Sequence, residues 1–116
     1  MKTKKELKEV YNQRKLNMGV FQIRNLQSNK ILLDSNIDMN AAWNRHRFQL
    51  NNHSHPNKLL QEDWNNLGES EFIFEIVSEF LEDKSHEIDY RKEVKKLEEM
   101  FLEDLQPFMD KGYNHK

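Results

Sequence analysis

The sequence predicts an α+β domain, a small three-stranded antiparallel sheet packed with helices in the order α-β-β-α-α-β-α. Three observations predict it. Two short alternating segments, around Val20–Asn25 and Lys30–Ser35, are separated by the turn formers Gln27, Ser28 and Asn29, which is the pattern of a hairpin. A third alternating segment, residues 71–77, stands alone between longer stretches. Those longer stretches repeat their apolar residues every three or four positions, the helical period.

Taken in order, residues 3–16 spell a polar helix with Leu7, Val10 and Tyr11 as its thin apolar stripe, ended at Gly19. From there Phe21, Ile23 and Asn25 alternate with Val20, Gln22 and Arg24, a strand, and "KILLDS" is its partner. Asn36 or Asp38 supplies a cap for a helix over 39–50, with Met39, Trp43, His46 and Leu50 facing inward. "NNHSHPN" reads as a loop, and the next helix carries Leu60 and Trp64 and stops at Gly68. In the third strand Phe72, Phe74 and Ile76 oppose Ile73, Glu75 and Val77. A long helix spans "KSHEIDYRKEVKKLEEMFLEDLQPF", with Tyr90, Val94, Leu97, Phe101 and Leu105 along one side and Pro107 closing it. "KGYNHK" reads as a short extended tail.

The 116 residues are enough for one domain with its own core, and seven Phe, three Tyr and two Trp supply the bulk that core needs. The absence of cysteine excludes a disulfide framework and a thiolate metal site, and suits a reducing cytoplasm. No apolar run approaches the ~20 residues of a membrane span, and the basic start has no apolar stretch after it to make a signal peptide. The expectation is a soluble cytoplasmic protein. Its net charge of −2 hides an asymmetry: residues 1–60 hold eleven Lys and Arg against four Asp and Glu, and residues 61–116 hold seven against sixteen. A basic front half can face a polyanion, or it is ordinary surface charge.

The chain resembles the GIY-YIG nuclease domain. "GVF" at 19–21 stands at the place of that family's first motif and "LLD" at 32–34 at the place of its second. "WNRHRFQL" resembles the helix after the hairpin, and "HPNKLLQEDWNNLGESEFIFEIV" the block that follows. "LEEMFL" matches the late helix that carries an acidic metal ligand, and "GYN" at 112–114 the end of the domain. The resemblance covers about residues 18–114, giving a GIY-YIG-like domain over 18–116 behind a helical extension over 1–17. It implies phosphodiester cleavage in DNA with one divalent cation, Mg²⁺ or Mn²⁺. It also implies tyrosines from both motifs, an arginine and often a histidine on the first helix, a glutamate on the last long helix and a C-terminal asparagine.

Several of those positions depart. Phe21 stands for the first tyrosine and Leu32 for the second, so neither brings a hydroxyl. Asp34 stands for a glycine and Ala42 for the helical arginine. His46, His55, Glu98 and Asn114 remain. On these grounds the expected site is His46, Phe21 and Glu98 as the catalytic set, Glu98 as metal ligand, and Arg45, Arg47, His55 and Asn114 toward phosphate.

Each residue also has a plainer reading. His46 shares a stripe with apolar residues and reads equally as a core histidine. His53 and His55 are spaced for one loop to offer two imidazoles, but a zinc site lacks two further ligands. Glu98 lies beside the apolar side of the last helix, whereas Glu99 has the spacing of solvated ion pairs with Lys95 and Lys96. Arg45 and Arg47 read as a solvated face or as replacements for the missing arginine. Asp34 is a turn former or a second metal ligand. Lys2, Lys4, Lys5 and Lys8 touch phosphates or only solubilise their helix.

Three functions follow from these readings. The first is a degenerate nuclease-family domain that binds DNA or another nucleic acid and has impaired or lost cleavage. The second is a divalent-metal-dependent endonuclease with a rewired centre of His46, Glu98 and Asp34. The third is a protein-interaction module that reuses the fold for a protein partner. A membrane partner is not expected.

Overall fold

The computed structural model describes residues 17–83 and 85–115. The expected first helix, with its lysines, lies outside the described residues. The elements are β1 (Met18–Asn25), β2 (Ile31–Asn36), α1 (Met39–Asn51), α2 (Lys58–Leu67), β3 (Phe72–Phe80) and α3 (Tyr90–Leu105). They form an α+β domain whose single sheet has the order β2-β1-β3, antiparallel throughout.

The register explains the layers. Phe21 pairs with Asp34 and Ile23 with Leu32, so these four share one face. On that face Phe21, Ile23 and Leu32 join Met39, Ala42 and Leu50 of α1, Leu60 and Trp64 of α2, Phe72 and Tyr113 in one buried cluster. Val20, opposite Ser35, and Gln22, opposite Leu33, belong to the other face, against which α3 packs. Only Val94 of α3 is buried, while Leu97 and Phe101 are half-buried and Leu105 is exposed. The long helix therefore lies on the sheet by a narrow seam.

Both shorter helices begin as their sequences direct. The Asp38 carboxylate accepts from the Ala41 amide and caps α1, and the Asn57 side chain accepts from the Leu60 amide and caps α2. The buried stripe of α1 is Met39, Ala42, His46 and Leu50. Trp43 sits at its margin, stacked on Phe74 at 5.6 Å.

Three expectations are corrected. First, β3 extends to Phe80 rather than ending at Val77, because Val20 pairs with Ser78 and Phe21 with Ile76. Val77 is thus an extra residue in a bulge, which breaks the two-residue period at the point where the sequence reading stopped. Second, α3 begins at Tyr90, capped by Asp89, and not near Lys84. The preceding residues are held by local polar bonds instead: the Asp83 carboxylate accepts from the Ser85 amide at 3.0 Å, and the Tyr90 hydroxyl accepts from the Asp83 amide at 2.6 Å. Third, residues 111–115 of the expected extended tail are built into the fold. After a 3-10 turn at Met109–Lys111, the Tyr113 amide donates to the Ile31 carbonyl at 2.8 Å, and the Tyr113 ring enters the core. β2 is an edge strand with unpaired peptide groups, and the tail occupies them.

Two substitutions test this packing. Gly19 faces the bulge with φ of +153°, and a Cβ there would overlap the Ser78 carbonyl oxygen. Gly19→Ala is expected to lower stability by at least ~1–3 kcal/mol, read from the urea midpoint. The Tyr113 hydroxyl donates to Asp63 at 2.6 Å and accepts from the buried Asn25 amide at 3.1 Å. Tyr113→Phe leaves both without that partner and is expected to cost about 1–3 kcal/mol by the same measurement.

Candidate functional site

The open edge of β2 borders a cleft of about 330 Å³. Leu32, Leu33 and Asp34 form one wall, His46, His55 and Asn57 a second, and Glu98 and Asn114 a third. Because β2 is the edge, side chains from both faces of the sheet reach this space.

On the α1 side a chain of hydrogen bonds has its direction fixed at one end. The Asn57 amide donates to His55 Nδ1 at 3.0 Å. An amide can only donate, so Nδ1 carries no proton and the His55 proton is on Nε2. That proton points to His46 Nδ1 at 2.8 Å, which leaves the His46 proton on Nε2, 2.9 Å from Asp34 Oδ2. The other Asp34 oxygen accepts from the Ser35 amide at 2.8 Å. Burial, then the charge of His46, push the His55 imidazole down to about 4. Burial by itself would raise the Asp34 carboxyl, but the bonds from His46 and the Ser35 amide, with the electrostatic pull of the His46 ring and Lys95, hold it below its usual range. Resting His46 is therefore bonded at both nitrogens, between a neutral histidine and a carboxylate.

On the α3 side Glu98 has a side chain only 12% exposed. Its Oε1 accepts from the Ser35 hydroxyl at 2.7 Å and lies 3.4 Å from Lys95 Nζ. Asn114 closes the floor: its side-chain oxygen accepts from the Leu33 amide at 2.8 Å and its NH₂ donates to the Leu33 carbonyl at 2.9 Å. One side chain thus completes both peptide groups of an edge residue.

His46, His55, Asp34, Glu98 and Asn114 meet in this cleft. Other expected residues stand elsewhere. Phe21 is fully buried behind His46, edge-on at 5.9 Å. Ala42 is buried in the core and does not line the cleft. Arg45 is exposed outside it, close enough for its charge to help depress His55. Arg47 lies over the Trp43 ring at 5.7 Å and 3.5 Å from Glu69. His53 bonds Asn65 at 2.9 Å and does not join His55, so the two imidazoles of the loop do not converge on a zinc ion. Asp34 is a strand residue bonded to His46 rather than a turn former. Lys95 pairs with Glu98 rather than Glu99, and Lys96 with Glu93 at 3.5 Å.

Asn57, Ser35 and Lys95 were missed as site residues by sequence reasoning. A signal for the Asp34–His46 bond was present: strand alternation puts Asp34 on the face of Phe21, toward α1. Among the described residues no three His, Asp or Glu side chains are grouped as a complete metal cage. A magnesium ion asks for less, one or two carboxylates with water and substrate phosphates completing the shell. Glu98 fits that role, since its Oε2 has no hydrogen-bond partner among the described residues while Oε1 is held in place. No helix among the described residues is long and apolar enough to cross a membrane.

Among solved structures the chain is similar to the catalytic domain of homing endonuclease I-TevI, at 27% identity and a TM-score of 0.69, over 85% of this chain and 98% of that one. A glutamate-to-alanine mutant of the catalytic domain of intron endonuclease I-TevI is similar at 24% identity and a TM-score of 0.70, over 85% and 93% of the two chains. No protein-family model and no curated protein matches the sequence.

The imidazole chain has a pH signature. The folded state holds His55 near 4 against an ordinary value of 6.5, so between these values the unfolded chain binds more protons. The stability from neutral His55 is complete above about pH 6.5 and declines as the pH falls toward 4. The stability difference between the native chain and His55→Gln is expected to shrink by about 1–3 kcal/mol across that window in urea titrations.

Proposed function

We propose that this chain, a GIY-YIG-like domain by its fold and its likeness to a homing endonuclease catalytic domain, binds nucleic acid, DNA in the first instance, with impaired or lost phosphodiester cleavage. In this reading residues 18–116 are the working domain, residues 1–17 precede it as an extension, and the protein acts in the cytoplasm. One observation carries it: Glu98, Asn114 and His46 share a cleft that, among the described residues, no arginine and no tyrosine hydroxyl lines.

The chemistry follows from that lining. A general base needs an unshared lone pair within reach of the attacking water. His46 donates from Nε2 to Asp34 and accepts at Nδ1 from His55, so neither nitrogen is available in the resting arrangement. Asp34 is held below its usual pKa range and is a correspondingly weak base. The hydroxyls of Tyr90 and Tyr113 are engaged with Asp83 and Asp63, outside the cleft. Losing a preorganised charge partner costs roughly 10²–10³ in rate, and losing acid–base assistance roughly 10²–10⁴. The two need not multiply, because groups of one site act together. Binding is less demanding. Glu98 would hold a divalent cation, and that ion would neutralise a backbone phosphate beside two carboxylates that otherwise repel it. Asn57 and Asn114 position the walls around it.

A second reading is favoured by the convergence of Asp34, His46 and Glu98: a divalent-metal-dependent endonuclease with a rewired centre. It requires His46 to leave either Asp34 or His55 before it takes a proton from water.

Electrophoretic shift assays with duplex and single-stranded oligonucleotides, with and without Mg²⁺, test the first reading. Binding at low salt that weakens steeply as salt rises is expected; no shift at low salt overturns it. Incubation of supercoiled plasmid with Mg²⁺ or Mn²⁺ is expected to give little nicking. Efficient nicking abolished by Glu98→Ala would select the rewired enzyme instead.

A further inference from the structure

Beyond Ser35, on the α3 side of the sheet, lies a second and smaller recess of about 160 Å³. Ser35, Asn36 and Ile37 line it from the end of β2, and Arg91, Val94 and Lys95 from the first turns of α3. Ser35 and Lys95 also contact Glu98, so the recess and the main cleft adjoin through shared residues. Residues 61–116 carry sixteen acidic against seven basic side chains, yet two of those seven converge on this one recess. Arg91 makes no ion pair among the described residues, and Lys95 reaches toward the cleft, with Asp34 also within its field.

Helix geometry orders these groups. Arg91, Lys95 and Glu98 stand at i, i+4 and i+7 on one side of α3. Arg91 lies about 10 Å along the axis from Glu98 and Lys95 about 4–5 Å from it. In a duplex each strand rises about 3.4 Å per nucleotide along the axis, so a backbone running alongside α3 past Glu98 carries its next phosphates within reach of Lys95 and Arg91. An arginine binds a phosphate with two parallel hydrogen bonds, and a lysine binds it as a mobile point charge. The adjoining Asn36 side-chain oxygen accepts from the Asp38 amide at 3.0 Å, and its NH₂ donates to no group among the described residues.

We infer that this recess is a phosphodiester subsite in which Arg91 and Lys95 hold the backbone phosphates next to the one at Glu98. The inference rests on the proposed function and names where the nucleic-acid strand is held. Lys92 and Lys96 serve as the comparison, because they belong to the same helix and carry the same charge but do not line the recess.

The test compares Arg91→Ala/Lys95→Ala with Lys92→Ala/Lys96→Ala in the full chain. For the first pair, affinity for a single-stranded or duplex oligonucleotide is expected to fall at least about tenfold at low salt, and the slope of log affinity on log salt to flatten by between one and two. The second pair is expected to change both far less. Equal weakening by the two pairs, or none by the first, overturns the inference while leaving the proposed function standing. Amide NMR titration with inorganic phosphate separates the other failure. Shifts at Asn36, Ile37, Arg91 and Lys95 that vanish in Arg91→Ala/Lys95→Ala are expected. If the native chain shows them and binds no nucleic acid, the anion subsite stands and the proposed function falls; if they are absent, the subsite falls.

Discussion

Asn57 joins three parts of this molecule that would otherwise be independent. Its side-chain oxygen accepts from the Leu60 amide and starts α2, its NH₂ donates to the Tyr113 carbonyl at 2.6 Å and fastens the C-terminal segment, and its own amide fixes the His55 proton. Gln61 works beside it, accepting from the His55 amide at 3.0 Å and donating to the last turn of α1 at Leu50. All of these groups are buried or nearly so, where an unmet polar atom is costly. The loop between α1 and α2 is therefore held in one arrangement. The order of protons along His55, His46 and Asp34 is set by a backbone amide well away from the carboxylate that receives the last of them.

The cleft owes its contents to the position of β2 at the rim of the sheet. Asp34 projects toward α1 and Glu98 arrives from α3 on the opposite side, so in a central strand the sheet itself would separate them. At the rim the two acidic groups border a common space, and the peptide groups that an edge leaves open are closed locally. The Ile31 carbonyl takes the Tyr113 amide, Leu33 takes the Asn114 side chain, and the Ser35 amide takes Asp34. Edge protection and site construction are here the same set of bonds.

Much of the fold was legible because its elements keep a regular period. The hairpin, α1 with Asp38, and α2 between Asn57 and Gly68 follow directly from spacing and capping chemistry. What the sequence hides is set by long-range contact. One extra residue at Val77 erases the period of β3, and polar bonds around Asp83 hold off the start of α3. Of the site, Glu98 and Asn114 were legible through resemblance, and His46 through its place on an apolar stripe. His55 was legible through the resemblance too, and strand alternation gave the side of the sheet on which Asp34 stands; that Asp34 meets His46 in particular is set by how α1 packs on the sheet. Arg45 and Arg47 flank His46 in sequence, but consecutive helical residues diverge by 100°, which sends Arg47 to Trp43 and Glu69.

The Tyr113–Asn114 segment has a consequence for the order in which the molecule is made. Synthesis runs from the amino end, and the hairpin, α1, α2 and β3 emerge well before residues 113 and 114. Until those two leave the ribosome, the rim of β2 lacks its cover, the core lacks one of its largest rings, and the cleft has no floor. A nascent chain that has reached the end of α3 thus already contains Asp34, His46, His55 and Glu98, yet has no finished cavity to hold them. The cavity takes its final form only once Tyr113 and Asn114 are seated on the rim of β2.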